Sequence, residues 1–436
     1  MVELKPKGST AVNIAQSISC LIREEVWPAG YRLPTVRSLA EDLGVNPNTV
    51  SAAYKQLRDA GIITTDGRRG SFVPEKTEIL HTESAVPKGL VDLASGNVDR
   101  RLLPELPPSL LDGYHLATDV GGRGDNPELM AHIKHWLRDN TGIESSEIVL
   151  FSGSLDIMER ALSQRCMPGA KVLVESPCWL PLLALLSNLR LEAVPAELDE
   201  EGALVPEHDD CLSGVSAVIL TARAHSPTGI CYSRRRWQEW QRALSQHNAL
   251  LIVDDHWGAL SRHPFHGMQG FDNEWIYSTS TSKFLGTDAR IAVAAGNGHT
   301  LNAMKKRFSL GPRWISKLLQ HVTLQLWRQL GSDGLKAIAD SYHARRCRLI
   351  ESLQKHGIRV PGSGGEGQHI WLPVHNEAQV IQFLAAKGWA VQSGAACNLS
   401  KQPAVRITIG NLSLEDCDTL ADDIADTLAA GGRSLY

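Results

Sequence analysis

Five short apolar runs constrain most strongly how this chain can fold. They are Ile148 to Phe151, Val172 to Val174, Val215 to Leu220, Leu250 to Val253 and Trp275 to Tyr277, and stretches of helical periodicity separate them. A strand with one wet face alternates apolar and polar residues. These runs scarcely alternate, so both of their faces must be covered. Apolar strands alternating with helices predict an α/β fold, a mainly parallel sheet flanked by helices. Ligands of such sheets sit beyond the carboxyl ends of the strands. The residues that follow each run are therefore where chemistry is expected.

Phe151 is followed by Ser152-Gly153-Ser154, which opens a helix. Glycine lets a ligand approach the backbone, and a helix N-terminus offers free N–H groups to a phosphate. Val174 is followed by Glu175-Ser176-Pro177-Cys178-Trp179, where Trp179 is either a ring to stack on a ligand or ordinary core. Leu220 leads into Arg223, His225 and the turn Ser226-Pro227-Thr228-Gly229, and Val253 into Asp254-Asp255-His256. Tyr277 leads into Ser278-Thr279-Ser280-Thr281-Ser282-Lys283, with Arg290 a little further on. Together these supply what pyridoxal 5'-phosphate requires: an amine for a Schiff base, an acid beside the ring nitrogen, a phosphate cup and a planar cover. Single residues have blander readings. Lys283 alone is a surface lysine, Arg223 is as readily a structural ion-pair partner, and His225 is as readily a structural hydrogen-bonder. The Asp254-Asp255-His256 triplet has no partners at ligand spacing, so no metal site is expected.

The first 74 residues read differently. Ile14, Ile18, Leu21 and Ile22 make one helical face, which should end before Pro28. Thr35 can cap a short second helix carrying Val36, Leu39, Ala40 and Leu43, and Gly44 suits its left-handed end. Asn46 can cap a third helix, with Pro47 at its first position. Val50, Tyr54 and Leu57 share the inner face of that helix, leaving Asn48, Ser51, Ala52 and Lys55 outside. Two helices joined so tightly form a helix-turn-helix. Two β-rich runs around Gly67-Arg68-Arg69-Gly70 read as a basic hairpin, suited to phosphate or minor-groove contact.

Composition sets bounds on these readings. The chain has 436 residues, 43% hydrophobic and 21% charged, a balance with ample core material for several domains. Residues 1–74 carry nine basic and seven acidic side chains, a net +2 that leaves −6 for the remainder of a −4 chain. That sign suits an N-terminal DNA reader. The 8 cysteines form no CxxC pair and read as reduced thiols. No signal segment or membrane span is expected, and the chain should be cytoplasmic.

The register "LPTVRSLAEDLGVNPNTVSAAYKQLRDAGII" resembles the GntR-type winged helix. That resemblance implies contact with double-stranded DNA through Arg37, Asn46, Asn48, Thr49, Ser51 and Lys55, and through Arg68 and Arg69 in the wing. Several relatives carry arginine where this chain has Pro47 and Ser51. Residues 91–436 resemble a fold-type I aminotransferase domain, a large mainly parallel sheet domain with a smaller α+β domain. Residues 75–90 are expected to be a linker. The fusion resembles the MocR subfamily of GntR regulators, and "TARAHSPTG", "DDHW" and "SPCW" look nearest to its PtsJ-type branch, associated with vitamin B6-responsive regulation.

The resemblance implies residue roles. Lys283 would be the Schiff-base and sole catalytic lysine, and Asp254 the partner of the pyridine nitrogen. Gly153, Ser154, Ser280, Ser282 and Arg290 would hold the phosphate, and Trp179 would cover the ring. Arg406, in "AVRITIG", would bind the carboxylate of an amine effector. Ser226 stands where aminotransferases have an asparagine that reaches the phenolic oxygen, and His256 occupies the stretch where they carry a tyrosine near that oxygen. Both departures point toward a sensed cofactor rather than efficient turnover. A working aminotransferase with an accessory DNA-binding domain is the alternative. A homodimer is implied, because fold-type I sites are normally completed at a subunit interface.

Overall fold

The computed structural model describes residues 5–59, 61–66, 69–74, 86–116, 124–145, 147–206, 211–400 and 402–431. Gly67, Arg68 and most of the expected linker lie outside the described residues. The chain divides into two compact units, one built on residues 1–81 with the short segments 166–171 and 186–192, the other on the remainder.

In the first unit, α1 (Ala11–Arg23), α2 (Val36–Leu43) and α3 (Pro47–Asp59) precede the hairpin β1 (Thr64–Asp66) and β2 (Gly70–Phe72). Local chemistry sets the helix ends. The Thr35 hydroxyl accepts from the Ser38 amide, and Gly44 adopts φ 63°, which closes α2. Asn46 Oδ1 accepts from the Asn48 amide at 2.8 Å and starts α3. Ile14, Ile18, Leu39, Val50, Tyr54 and Leu57 are all buried in one core. Tyr54 also donates to the Pro34 carbonyl at 2.8 Å, tying α3 to the segment before α2. The wing has a third strand-like member: Leu33 N–H donates to Ser71 O, and Val73 N–H to Tyr31 O. Residue 32 bridges to Phe72 within that pairing.

The second unit holds two sheets. Its elements in chain order begin with β3 (Val91–Leu93), α4 (Pro127–Thr141), β4 (Glu147–Phe151), α5 (Ser154–Arg165), β5 (Lys171–Ser176), α6 (Leu180–Asn188), β6 (Glu192–Asp199) and β7 (Gly202–Ala203). Then come β8 (Val215–Thr221), α7 (Arg234–Leu244), β9 (Leu250–Asp254), β10 (Trp275–Ser280), α8 (Ser282–Leu285), β11 (Ala292–Gly296) and α9 (Gly298–Ser309). The chain continues through α10 (Lys317–Lys355), β12 (His369–Pro373), α11 (Glu377–Ala386), β13 (Trp389–Ser393), β14 (Ala404–Thr408) and α12 (Leu414–Gly431).

The large sheet has the order β4-β11-β10-β9-β8-β5-β6-β7. All five apolar runs are strands in it. β8, β9 and β10 run parallel, and β11 is antiparallel to both β10 and β4. β4 therefore points the same way as β10, and their carboxyl ends share one edge. The small sheet has the order β12-β14-β13-β3.

Helix α10 breaks at Gly331, whose φ 57° and ψ −171° are essentially reserved for glycine. Further along α10, Arg346 is 1% exposed and ties β12 to the turn that follows β8. It donates to the carbonyls of His369 on β12, Gly362 and Thr228, the last beside the Ser226 turn. Gly229 makes room for it, since a Cβ there would lie 2.5 Å from Nη2.

Candidate cofactor site and DNA reader

Strand register assembles the site. Asp254, the last residue of β9, is level with Ser278 on β10 and Thr221 on β8. Ser280 is level with Ala292, which is level with Phe151. The turns that follow these positions therefore converge. Thr281 locks one of them: its N–H donates to Ile291 O at 3.0 Å, and its hydroxyl accepts from Ile291 N–H at 2.9 Å. That brings Arg290 beside the turn after β4, where a Cβ on Gly153 would lie 3.6 Å from Arg290 Nε. Ser154 opens α5, whose first N–H groups face the same turn. Ser280 Oγ donates to Ser282 Oγ at 3.2 Å and accepts from the Ser282 amide at 3.3 Å. Strand register thus puts Gly153, Ser154, Ser280, Ser282 and Arg290 at one edge of the sheet, a set rich in donors and carrying a cation, as a phosphate dianion requires.

Lys283 follows in α8. Burial pushes its amine down to about 8, Arg406 pushes the same way, and Asp254 opposes them. Those three charges therefore lie close enough to act on one another. Asp254 is 6% exposed; its Oδ2 lies 3.1 Å from His256 Nδ1, while its Oδ1 is buried with no partner among the described residues. An orphaned buried carboxylate oxygen calls for a donor. Trp179 is half-buried, and the amide before it donates to Cys397 O at 2.6 Å. Arg406 lies mid-strand on β14, 6% exposed, with Nη2 donating to Ala94 O and Nε buried without a partner among the described residues.

The ambiguous residues resolve into supports. Arg223 is bound to Asp255 within the fold. His225 is buried, with Nδ1 at 2.8 Å from Thr228 Oγ1 and Nε2 at 3.3 Å from Glu175. Burial and neighbouring His256 hold its pKa down at about 3. Burial pushes Glu175 up to about 7, against hydrogen bonds from Thr221 and Tyr232. Ser226 is 7% exposed in the adjoining turn.

Three residues near the site carried no sequence signal. His369 is 7% exposed, with its pKa pushed well down by burial, Arg406, Lys283 and His256. Gln368 Nε2 donates to Gly96 O at 2.7 Å, leaving a buried Oε1 without a partner among the described residues. Gly96, at φ 76°, lies so near Arg406 and His369 that a Cβ would be 3.3 Å from each. Strand pairing over hundreds of residues brings them together, which no local pattern reveals. The donor set fits pyridoxal 5'-phosphate: an amine, an acceptor for a ring N–H, and a cationic phosphate cup.

On the winged helix, Arg37, Asn46, Asn48, Ser51 and Lys55 are exposed and Thr49 is half-buried. Arg69 is exposed in the wing and pairs with Asp66 at 3.2 Å.

Residues 88–424 match the family model of aminotransferase class I and II, and residues 10–73 match that of bacterial regulatory proteins of the gntR family. The chain is 36% identical to the vitamin B6 salvage pathway transcriptional repressor PtsJ of Salmonella typhimurium, over 97% of this chain and 99% of that one. It is 24% identical to the uncharacterized HTH-type transcriptional regulator YcxD of Bacillus subtilis, over 93% and 97% of the two chains. Among solved structures, Pyrococcus horikoshii kynurenine aminotransferase is similar in fold, with a TM-score of 0.71 at 20% identity, covering 80% of this chain and 92% of that one. Fold and motifs thus define a GntR-type transcriptional regulator with an aminotransferase-like domain. Within that class, the chain belongs to the MocR subfamily of GntR regulators. Among the described residues, no helix is long and apolar enough to cross a membrane.

Proposed function

We propose that this regulator holds pyridoxal 5'-phosphate on Lys283, and that occupancy of the site sets its affinity for operator DNA. The observation that carries the reading is Asp254 Oδ1, buried without a partner among the described residues, near a lysine that burial brings to about 8. Bound there, the cofactor would supply an aldehyde that condenses with amines and a ring that withdraws their electrons. The chain supplies the rest. Lys283 offers the amine, and Asp254 keeps a proton on the ring nitrogen. Gly153, Ser154, Ser280, Ser282 and Arg290 hold the phosphate, and Trp179 covers the ring. Ser226, in the turn after β8, and His256, beside Asp254, complete the site. Arg406 binds the carboxylate of an amino-acid effector, if the signal is an amine rather than the cofactor itself. The PtsJ relative, by its name a repressor in vitamin B6 salvage, supports the cofactor as signal.

The DNA contacts are assigned to Arg37, Asn46, Asn48, Thr49, Ser51, Lys55, Arg68 and Arg69. Residues 1–74 form the reader, 75–90 the linker and 91–436 the effector domain. The protein acts as a cytoplasmic homodimer whose two readers meet two half-sites. Occupancy changes DNA affinity only so far as the cofactor prefers one arrangement of the readers. Footprinting of the DNA upstream of the protein's own gene, with and without pyridoxal 5'-phosphate, tests this. Protection that depends on the cofactor is expected. No protection in either condition refutes DNA regulation there, and protection indifferent to the cofactor refutes sensing.

A further inference from the structure

The two oxygens of Asp254 are treated differently. Oδ2 lies 3.1 Å from His256 Nδ1, whereas Oδ1 is buried and unpartnered among the described residues. The carboxylate is clamped from one side only. The clamp is itself held. Asp255 is bound by Arg223 and by the Tyr277 hydroxyl, and Trp257 packs edge-on against Tyr342 with ring centroids 5.2 Å apart. The residues on both sides of His256 are therefore fixed. Its neighbour His225 is occupied by Thr228 and Glu175. With Nδ1 spent on Asp254, this histidine does not stand in simply for the tyrosine that aminotransferases place at the phenolic oxygen.

We infer that His256 is a positioning residue that acts on the cofactor through Asp254: by holding Oδ2, it aims Oδ1 at the ring nitrogen. The inference rests on the reading that this site takes pyridoxal 5'-phosphate. Partners one step removed from a ligand commonly fix the orientation of the group that touches it, and a carboxylate free to rotate loses that aim.

The test uses the full chain, pyridoxal 5'-phosphate, and its carbocyclic analogue in which the ring nitrogen is replaced by CH. Dissociation constants are measured by visible absorbance for wild type, His256→Phe and His256→Asn. The asparagine amide keeps an N–H donor at the same reach as Nδ1. His256→Phe should weaken the true cofactor about tenfold or more, and His256→Asn should return it to within about threefold of wild type, the scale of one hydrogen bond to a charged group. Toward the analogue, wild type and His256→Phe should bind alike, because there is no ring nitrogen for Asp254 to serve. Equal binding of the true cofactor by wild type and His256→Phe overturns the inference. So does a loss of equal size with the analogue, which would place the action of His256 at the phenolic oxygen or in packing. Wild type that takes up neither compound overturns the cofactor reading itself, and the inference with it.

Discussion

Arg223 and Asp255 form an ion pair almost sealed from water, with side chains 5% and 0% exposed, one residue along from Asp254. Nε donates to Oδ1 at 2.9 Å, Nη1 donates to His263 O at 3.1 Å, and Tyr277 completes the carboxylate. Removing one partner strands a buried charge. Arg223→Met should therefore cost about 3–5 kcal/mol of stability, read by denaturant unfolding of the effector domain. A loss below 1 kcal/mol would mean that water reaches Asp255.

Lys283 yields a prediction in pH. Its folded-state pKa is lowered to about 8, so the amine becomes neutral and nucleophilic as pH rises through that value. The rate of cofactor capture, followed by stopped-flow absorbance, should climb up to pH 8 and then level off. A climb that continues toward the ordinary lysine range, near about 10.4, would show the amine to be unperturbed. The unfolded chain holds the proton longer than the folded one. Stability from this group therefore rises with pH between the two values, and its burial costs most below pH 8.

Gly331 should resist substitution for a purely conformational reason. A Cβ there meets nothing within 4 Å, yet φ is 57° and ψ −171°. Gly331→Ala should cost about 1–3 kcal/mol from backbone strain alone, visible as a lowered Tm. An unchanged Tm would mean that α10 closes its break without penalty.

The reader can be tested by salt. Ser51 and Lys55 are exposed on α3. Lys55→Ala should weaken operator and random DNA alike, and shrink the slope of log affinity against log salt by about 0.9. Ser51→Arg should do the reverse. A slope unmoved in both variants would take α3 off the phosphate backbone.

Much of the architecture was legible because its cues are local. Thr35, Gly44, Asn46 and Pro47 bound α2 and α3 by capping chemistry that acts within a turn. The apolar runs marked their strands because burial on both faces leaves no room for polar residues. What stayed hidden depends on distant pairing. Residues 30–33 join the wing through partners forty residues away, and β3 finds β13 from the far end of the chain. His369 and Gly96 meet Arg406, and Gln368 meets Gly96, for the same reason. His256 illustrates the limit most clearly: its type and place were readable, but which atom it engages depends on the side chain's orientation.

Arg346 spends its charge on three carbonyls rather than on a carboxylate. Dissolved ions scarcely reach contacts of that kind, whereas contacts to DNA phosphates weaken steeply as salt rises. Ionic strength is therefore a dial that turns one half of this regulator without turning the other. If the chain binds operator DNA as proposed, salt that releases the operator should leave the contacts of Arg346 to His369, Gly362 and Thr228 in place. Occupancy can then be measured on intact protein, free of DNA and without changing a single residue.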